Sequence, residues 1–229
     1  MRVVFFGPPE FAVPSLQALV AAGFEIPLVV SRSDQPAGRH MEVTTPPVIE
    51  VARRLGLATV QPEKLGVDEF YQPFRALRPD VAAVVAFGRL ITPRVLDVPR
   101  LGFVNVHPSL LPRHRGPTPI ESAILAGDAE TGVTAMLLDE GFDTGPVLRR
   151  QAIPLGPRDR TASLEPRLAH LGAELLVETL RALEAGTITP PPQDGALATV
   201  SAKLERKMGR IAWTLPAAEL DRRCRAFDP

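Results

Sequence analysis

Short runs of β-branched and aromatic residues, bounded by turn formers, alternate along this chain with stretches whose apolar positions recur every three or four residues. The runs at residues 3–6, 26–30, 81–87 and 103–106 read as strands. They are almost uninterruptedly apolar, which predicts that both faces are covered. Between them, residues 14–22, 47–55 and 68–77 have helical spacing, with Asp68 placed to cap its helix. This alternation predicts an α/β fold built on a doubly wound, mostly parallel sheet. Further along, residues 119–126 read as a helix, 133–138 and 147–153 as strands around a long loop at 139–146, and 163–185 as a long amphipathic helix.

From Gly186 the pattern breaks into Pro190-Pro191-Pro192-Gln193-Asp194-Gly195, followed by a tail carrying Lys203, Arg206, Lys207 and Arg210. We place a catalytic domain at 1–189, with 190–229 as a linker and the start of a truncated C-terminal region that ends in a short helix. The 229 residues, 45% of them hydrophobic, suffice for one large core. Lys plus Arg and Asp plus Glu both total 26, so no global field draws a polyanion and any nucleic-acid contact is local. A single cysteine, Cys224, excludes an internal disulfide, and no Cys/His cluster points to a metal. The N-terminus reads as a first strand and not a leader, and no run reaches membrane length. The expectation is a cytoplasmic, metal-independent protein, with a monomer as the default.

Candidate chemistry lies in Asn105-Val106-His107-Pro108-Ser109-Leu110-Leu111-Pro112 and in Gly141-Phe142-Asp143-Thr144-Gly145. Asn105 and His107 end a strand, where residues i and i+2 face the same way, and in a doubly wound sheet ligands bind beyond the carboxyl ends of the strands. An amide beside an imidazole suits an oxyanion developing on a carbonyl under attack. Asp143 is suited to orienting the imidazole or moving a proton from an attacking amine. Acyl transfer to an amine is the reaction class this points to. Each residue taken alone has a plainer reading: Asn105 satisfying a strand end, His107 bonded in the core, Asp143 forming a turn. Ser109 lies in no nucleophile elbow and takes a loop role, which favours direct transfer over a covalent intermediate. Arg113, His114 and Arg115 form either a solvated face or an anion contact. Gly7-Pro8-Pro9 lacks the spacing of a dinucleotide fingerprint, so no nucleotide cofactor is expected.

On these motifs, together with GPPEFAVP from Gly7, SDQPAGR from Ser33, AFGRLIT from Ala86 and GDAETGVTAM from Gly127, the sequence resembles the folate-dependent formyltransferases, and among them those acting on methionyl-tRNA. The resemblance implies a Rossmann-like formyltransferase fold and transfer of formyl from 10-formyltetrahydrofolate to the α-amine of methionyl initiator tRNA. It implies that Asn105 and His107 stabilise a tetrahedral intermediate while Asp143 orients the histidine. It places folate along Phe87, Gly88, Arg89, Leu90 and Ile91, against Ser109, Leu110, Leu111 and Pro112, and beside Asp139, Glu140 and Gly141. Arg39 is placed at the tRNA acceptor end. Three alternatives stay open: a formyltransferase for a small amine, such as an amino sugar nucleotide or glycinamide ribonucleotide, a hydrolase releasing formate from the folate with water as nucleophile, and a non-catalytic folate-binding module. The sequence departs from the family pattern at His40-Met41-Glu42, where glycine and lysines are usual, and at Pro8, where threonine is usual. The family also continues past residue 229 into a small β-rich domain, so a fragment or a truncated relative is expected.

Overall fold

A computed structural model describes residues 1–37 and 42–228. Seven strands form one sheet in the order β5-β2-β1-β6-β7-β8-β9. They are β1 (Arg2–Phe6), β2 (Glu25–Val30), β5 (Thr59–Val60), β6 (Val81–Val85), β7 (Phe103–His107), β8 (Glu130–Leu137) and β9 (Val147–Pro154). The five strands from β5 to β7 pair in parallel, and β8 and β9 continue antiparallel. Strands β3 (Gln35–Ala37) and β4 (Glu42–Thr44) pair antiparallel in a separate two-stranded sheet.

Alternation along each strand divides the core in two. Val3, Phe5, Val81, Ala83, Val104 and Val106 face one side, where α1 (Val13–Ala21), α2 (Pro47–Arg54), α5 (Pro119–Ala126), α6 (Thr161–Glu184) and α7 (Ala217–Phe227) complete the larger core. Val4, Phe6, Ala82, Val84 and Phe103 face the other, where α3 (Asp68–Ala76) and α4 (Pro93–Leu96) contribute Phe70, Phe74 and Val95. The sheet is doubly wound and mostly parallel, as the alternating sequence predicts. Helix α6 crosses directly behind β7 and β8: a Cβ at Gly172 would lie 2.7 Å from Val106 Cγ1, so glycine permits this approach.

Several boundaries differ from the sequence expectations. Strand β6 stops at Val85 because Ala86 and Gly88 take positive φ and turn the chain out of the sheet. Asp68 does not cap α3; Val67 holds the cap position with extended dihedrals, and Asp68 is the first helical residue, where its charge favours the N-terminal dipole. The short elements β3, β4, β5 and α4 were not expected. A helix at the end of the tail was expected, and α7 occupies that place. The chain beyond residue 189 returns along the domain before reaching α7, bridging Arg115 to Val200 and donating from Thr199 N to Pro112 O. Among the described residues, no helix is long and apolar enough to cross a membrane.

Candidate active site

The site begins with the parity of β7. Val104 and Val106 are buried against α6, so Asn105 and His107 point to the opposite face, beyond Phe103. Asn105 pairs with Met136 and His107 with Thr134 across the antiparallel ladder, so these four side chains share one face. The Asn105 side-chain amide has no hydrogen-bond partner among the described residues and is half-buried, leaving its donors free for a substrate.

His107 is 5% exposed. Its Nε2 lies 3.0 Å from the carbonyl oxygen of His114, which can only accept, so Nε2 carries the hydrogen. In the neutral ring Nδ1 is then unprotonated, and it lies 3.6 Å from Asp143 Oδ2. Burial pushes the His107 pKa below its ordinary value, while the Asp143 carboxylate partly offsets that push. The resting imidazole is therefore neutral near pH 7, with its basic nitrogen beside a carboxylate.

Asp143 does not reach His107 from the carboxyl edge of the strands. Because β8 runs antiparallel to β7, its last residue, Leu137, lies at the level of Val104. The loop from 138 to 146 must double back over the face of the sheet to bring Asp143 to His107. Gly145 permits the return, since a Cβ there would overlap the Leu137 carbonyl oxygen. At the tip, Asp143 adopts a φ of 53° and its Oδ2 accepts from Gly116 N at 2.8 Å. The Asp139 carboxylate holds the base of the loop, accepting from Gly141 N at 3.0 Å and Thr144 Oγ1 at 2.7 Å.

The turn after His107 is fixed from within. Ser109 Oγ donates to Arg113 O at 2.7 Å, Thr134 Oγ1 donates to Ser109 O at 2.6 Å, and Leu111 N donates to Thr134 Oγ1 at 3.1 Å. Arg150 Nη1 donates to Leu111 O at 2.8 Å, and the Leu111–Pro112 peptide is cis. Ser109, Leu111 and Pro112 are buried, and Leu110 is half-buried. On the other side, Phe87 and Ile91 are anchored in the smaller core while Gly88 and Leu90 face outward. The Arg89 guanidinium turns back onto the protein, donating to Pro62 O at 2.7 Å and to Glu63 O. Glu140 and Gly141 are exposed at the loop tip beside Phe142. Arg39, His40 and Met41 lie outside the described residues. No cluster of three His, Cys, Asp or Glu side chains placed to hold a metal ion occurs among the described residues.

Sequence reasoning missed Gln193, and it read Arg113, His114 and Arg115 as a solvated face or an anion contact, whereas Arg115 donates to Gln193 Oε1 and the buried His114 pairs through Nε2 with Asp128 Oδ2 at 2.7 Å. Gln193 follows a proline triplet and reads as linker; its contacts arise from chain return, which leaves no periodic signal.

The arrangement can place an amide donor, a buried neutral imidazole and a carboxylate around one reacting carbonyl. Residues 1–180 match the formyl transferase family. The methionyl-tRNA formyltransferase of Chloroflexus aggregans is 49% identical over 229 residues, covering 100% of this chain and 74% of that relative. That of Halorhodospira halophila is 51% identical over 228 residues, covering 100% of this chain and 73% of the relative. Among solved structures, the sugar 3N-formyl transferase WlaRD, determined in the presence of dTDP and 5-N-formyl-THF, superposes with a TM-score of 0.76 at 19% identity, covering 99% of this chain and 79% of that one. The chain therefore belongs to the formyltransferase family, on the branch of the methionyl-tRNA formyltransferases.

Proposed function

We propose that this chain transfers the formyl group of 10-formyltetrahydrofolate to the α-amine of methionyl initiator tRNA by direct attack. The observation that carries the reading is the convergence of the free Asn105 amide with the His107–Asp143 pair on one face of the sheet, in a chain about half identical to enzymes of that name.

The acceptor nitrogen attacks the formyl carbon, and charge develops on the formyl oxygen. Asn105 donates to that oxygen as the charge grows, beside the buried His107. The proton released by the amine passes to the His107–Asp143 pair, directly or through one water, at the Nδ1 that the His114 carbonyl leaves basic. The resulting imidazolium lies beside Asp143 and shares stabilisation of the oxyanion. Collapse breaks the bond to the folate nitrogen, which takes the proton back from the pair.

The folate donor is a substrate, and the residues beside the site suit its flat, partly apolar body. Phe87 and Ile91 brace one loop from below while Leu90 (65% exposed) and Phe142 (79% exposed) present apolar surface outward. We place the folate against the turn from Ser109 to Pro112 and the loop from Asp139 to Gly141. Donation by the Arg89 side chain to the main chain gives it a loop-holding role beside the proposed folate. The amino-sugar alternative draws on the likeness to WlaRD, which at 19% identity is a likeness of fold.

The decisive experiment follows labelled formyl from 10-formyltetrahydrofolate to methionyl initiator tRNA, with Asn105→Ala as control. Transfer by the native chain that is lost in the variant supports the reading. Transfer to an amino sugar nucleotide or glycinamide ribonucleotide with none to tRNA rejects it in favour of the small-amine alternative, and folate binding without transfer to either leaves a binding module.

A further inference from the structure

Gln193 joins the two loops that carry the site, and it does so from a segment beyond the residues that match the family. Its Nε2 donates to the carbonyls of Asp143 at 2.9 Å and Gly145 at 2.7 Å. Its Oε1 accepts from Arg115 Nε at 3.1 Å and Arg115 Nη2 at 2.7 Å. Both hydrogens and both lone pairs of the amide are thereby engaged. The side chain lies between the sheet and the returning loop, with Nε2 4.0 Å from Met136 Sδ on the face that carries Asn105 and His107.

We propose that Gln193 is a positioning residue for formyl transfer, holding the main chain around Asp143 so that its carboxylate meets His107. The proposal rests on the reaction assigned above and adds a part to its machinery. Asp143 sits at a φ of 53°, a conformation that non-glycine residues leave readily unless their surroundings hold them. Gln193 clamps the carbonyl of that residue and the one two positions on, while Gly116 N fixes the carboxylate. Arg115, through Gln193, connects this clamp to the loop whose neighbouring carbonyl, that of His114, orients His107. The segment that delivers Gln193 is itself tied down: Arg115 N donates to Thr199 O at 2.8 Å, Ser201 N to Arg115 O at 2.6 Å, and Thr118 N to Ser201 Oγ at 3.1 Å. The strap ties one loop, and the Gln193 amide transmits its position to the other.

The test compares the native chain with Gln193→Met, which keeps length and neutrality but has no hydrogens to donate, with Gln193→Ala, and with Asp143→Asn. The His107 ring is titrated by NMR of its labelled nitrogens, and melting temperature and single-turnover formyl transfer are measured in parallel. The charged and titratable groups facing His107 are Asp143, from the loop between β8 and β9, and His114, from the loop after β7. In Gln193→Met the His107 titration is expected to move to lower pH, in the direction of Asp143→Asn, because a carboxylate no longer held beside Nδ1 favours the imidazolium less. Transfer is expected to fall about tenfold or more, as for loss of alignment in a bound complex. If Gln193→Ala fails to fold, Gln193→Met carries the comparison. A His107 titration and a transfer rate unchanged from native in Gln193→Met overturn the proposal. The titration needs no substrate, so a chain that never formylates tRNA would sink the assigned reaction while the result for Gln193 would still stand.

Discussion

His107 is fixed through Nε2 on the His114 carbonyl, with its basic Nδ1 beside Asp143, and this sets how its protonation governs rate. Burial lowers its pKa, so the neutral ring that accepts the amine proton persists to pH values below the ordinary histidine range. The rate is then lost as pH falls through that lowered pKa. Replacing Asp143 by Asn removes the group that opposes burial, so the acid limb of kcat/KM should shift to still lower pH and the plateau should drop; a limb displaced to higher pH would contradict this. His107→Ala should lower turnover by about a hundredfold or more with folate affinity nearly intact, as for a group used in the transition state. Comparable losses in binding and turnover would instead make it a binding residue. At Gly145, any side chain meets the Leu137 carbonyl. Gly145→Ala should cost roughly 1–3 kcal/mol in denaturant unfolding, the range for overpacking, and should silence the site by displacing Asp143. Asn105 and His107 were legible in the sequence because i, i+2 alternation on a strand is a local rule. Gln193 was not, because its role depends on where a distant segment returns.

Among the elements, the smaller core is organised around Phe6 on β1. Its ring centroid lies 5.4 Å from those of Phe87 and Phe103, 5.8 Å from Phe74 and 6.4 Å from Phe70. Three of these pairs are edge-to-face, the arrangement the ring quadrupoles favour. Phe6→Ala should destabilise by about 3–5 kcal/mol in urea unfolding and loosen the Phe87 loop, since the residue is fully buried and its ring neighbours come from three separate segments. A cost near that of a surface change would mean the cluster collapses around the gap. The long strands and helices were readable because their patterns repeat over several turns or pleats. Strand β5 has two residues and α4 has four, too few for any period to show, and both form because the surrounding core supplies partners. The path of the loop at 138–146 was equally hidden: its motif was visible, but its direction follows from β8 pairing antiparallel to β7.

For the whole molecule, the balance of 26 basic and 26 acidic residues means that attraction to tRNA must come from local groups. Lys203, Arg206 and Arg210 are exposed on the tail just past the strap, whereas Lys207 lies 2.6 Å from Glu205. With the proposed acceptor, neutralising the first three should flatten the dependence of log affinity on log salt by roughly one unit for each residue that meets a phosphate. An unchanged slope would place the tRNA elsewhere. Four tethers of the site end on main-chain oxygens, those of Leu111, His114, Asp143 and Gly145. Exchange of the side chains at Leu110, Glu140 or Phe142 leaves every one of those anchor atoms in place. Reaction and donor recognition are thus encoded in different atoms of the same loops, and with folate at the proposed place a lineage can retune its grip on the donor by drift at these positions while the chemistry is inherited intact.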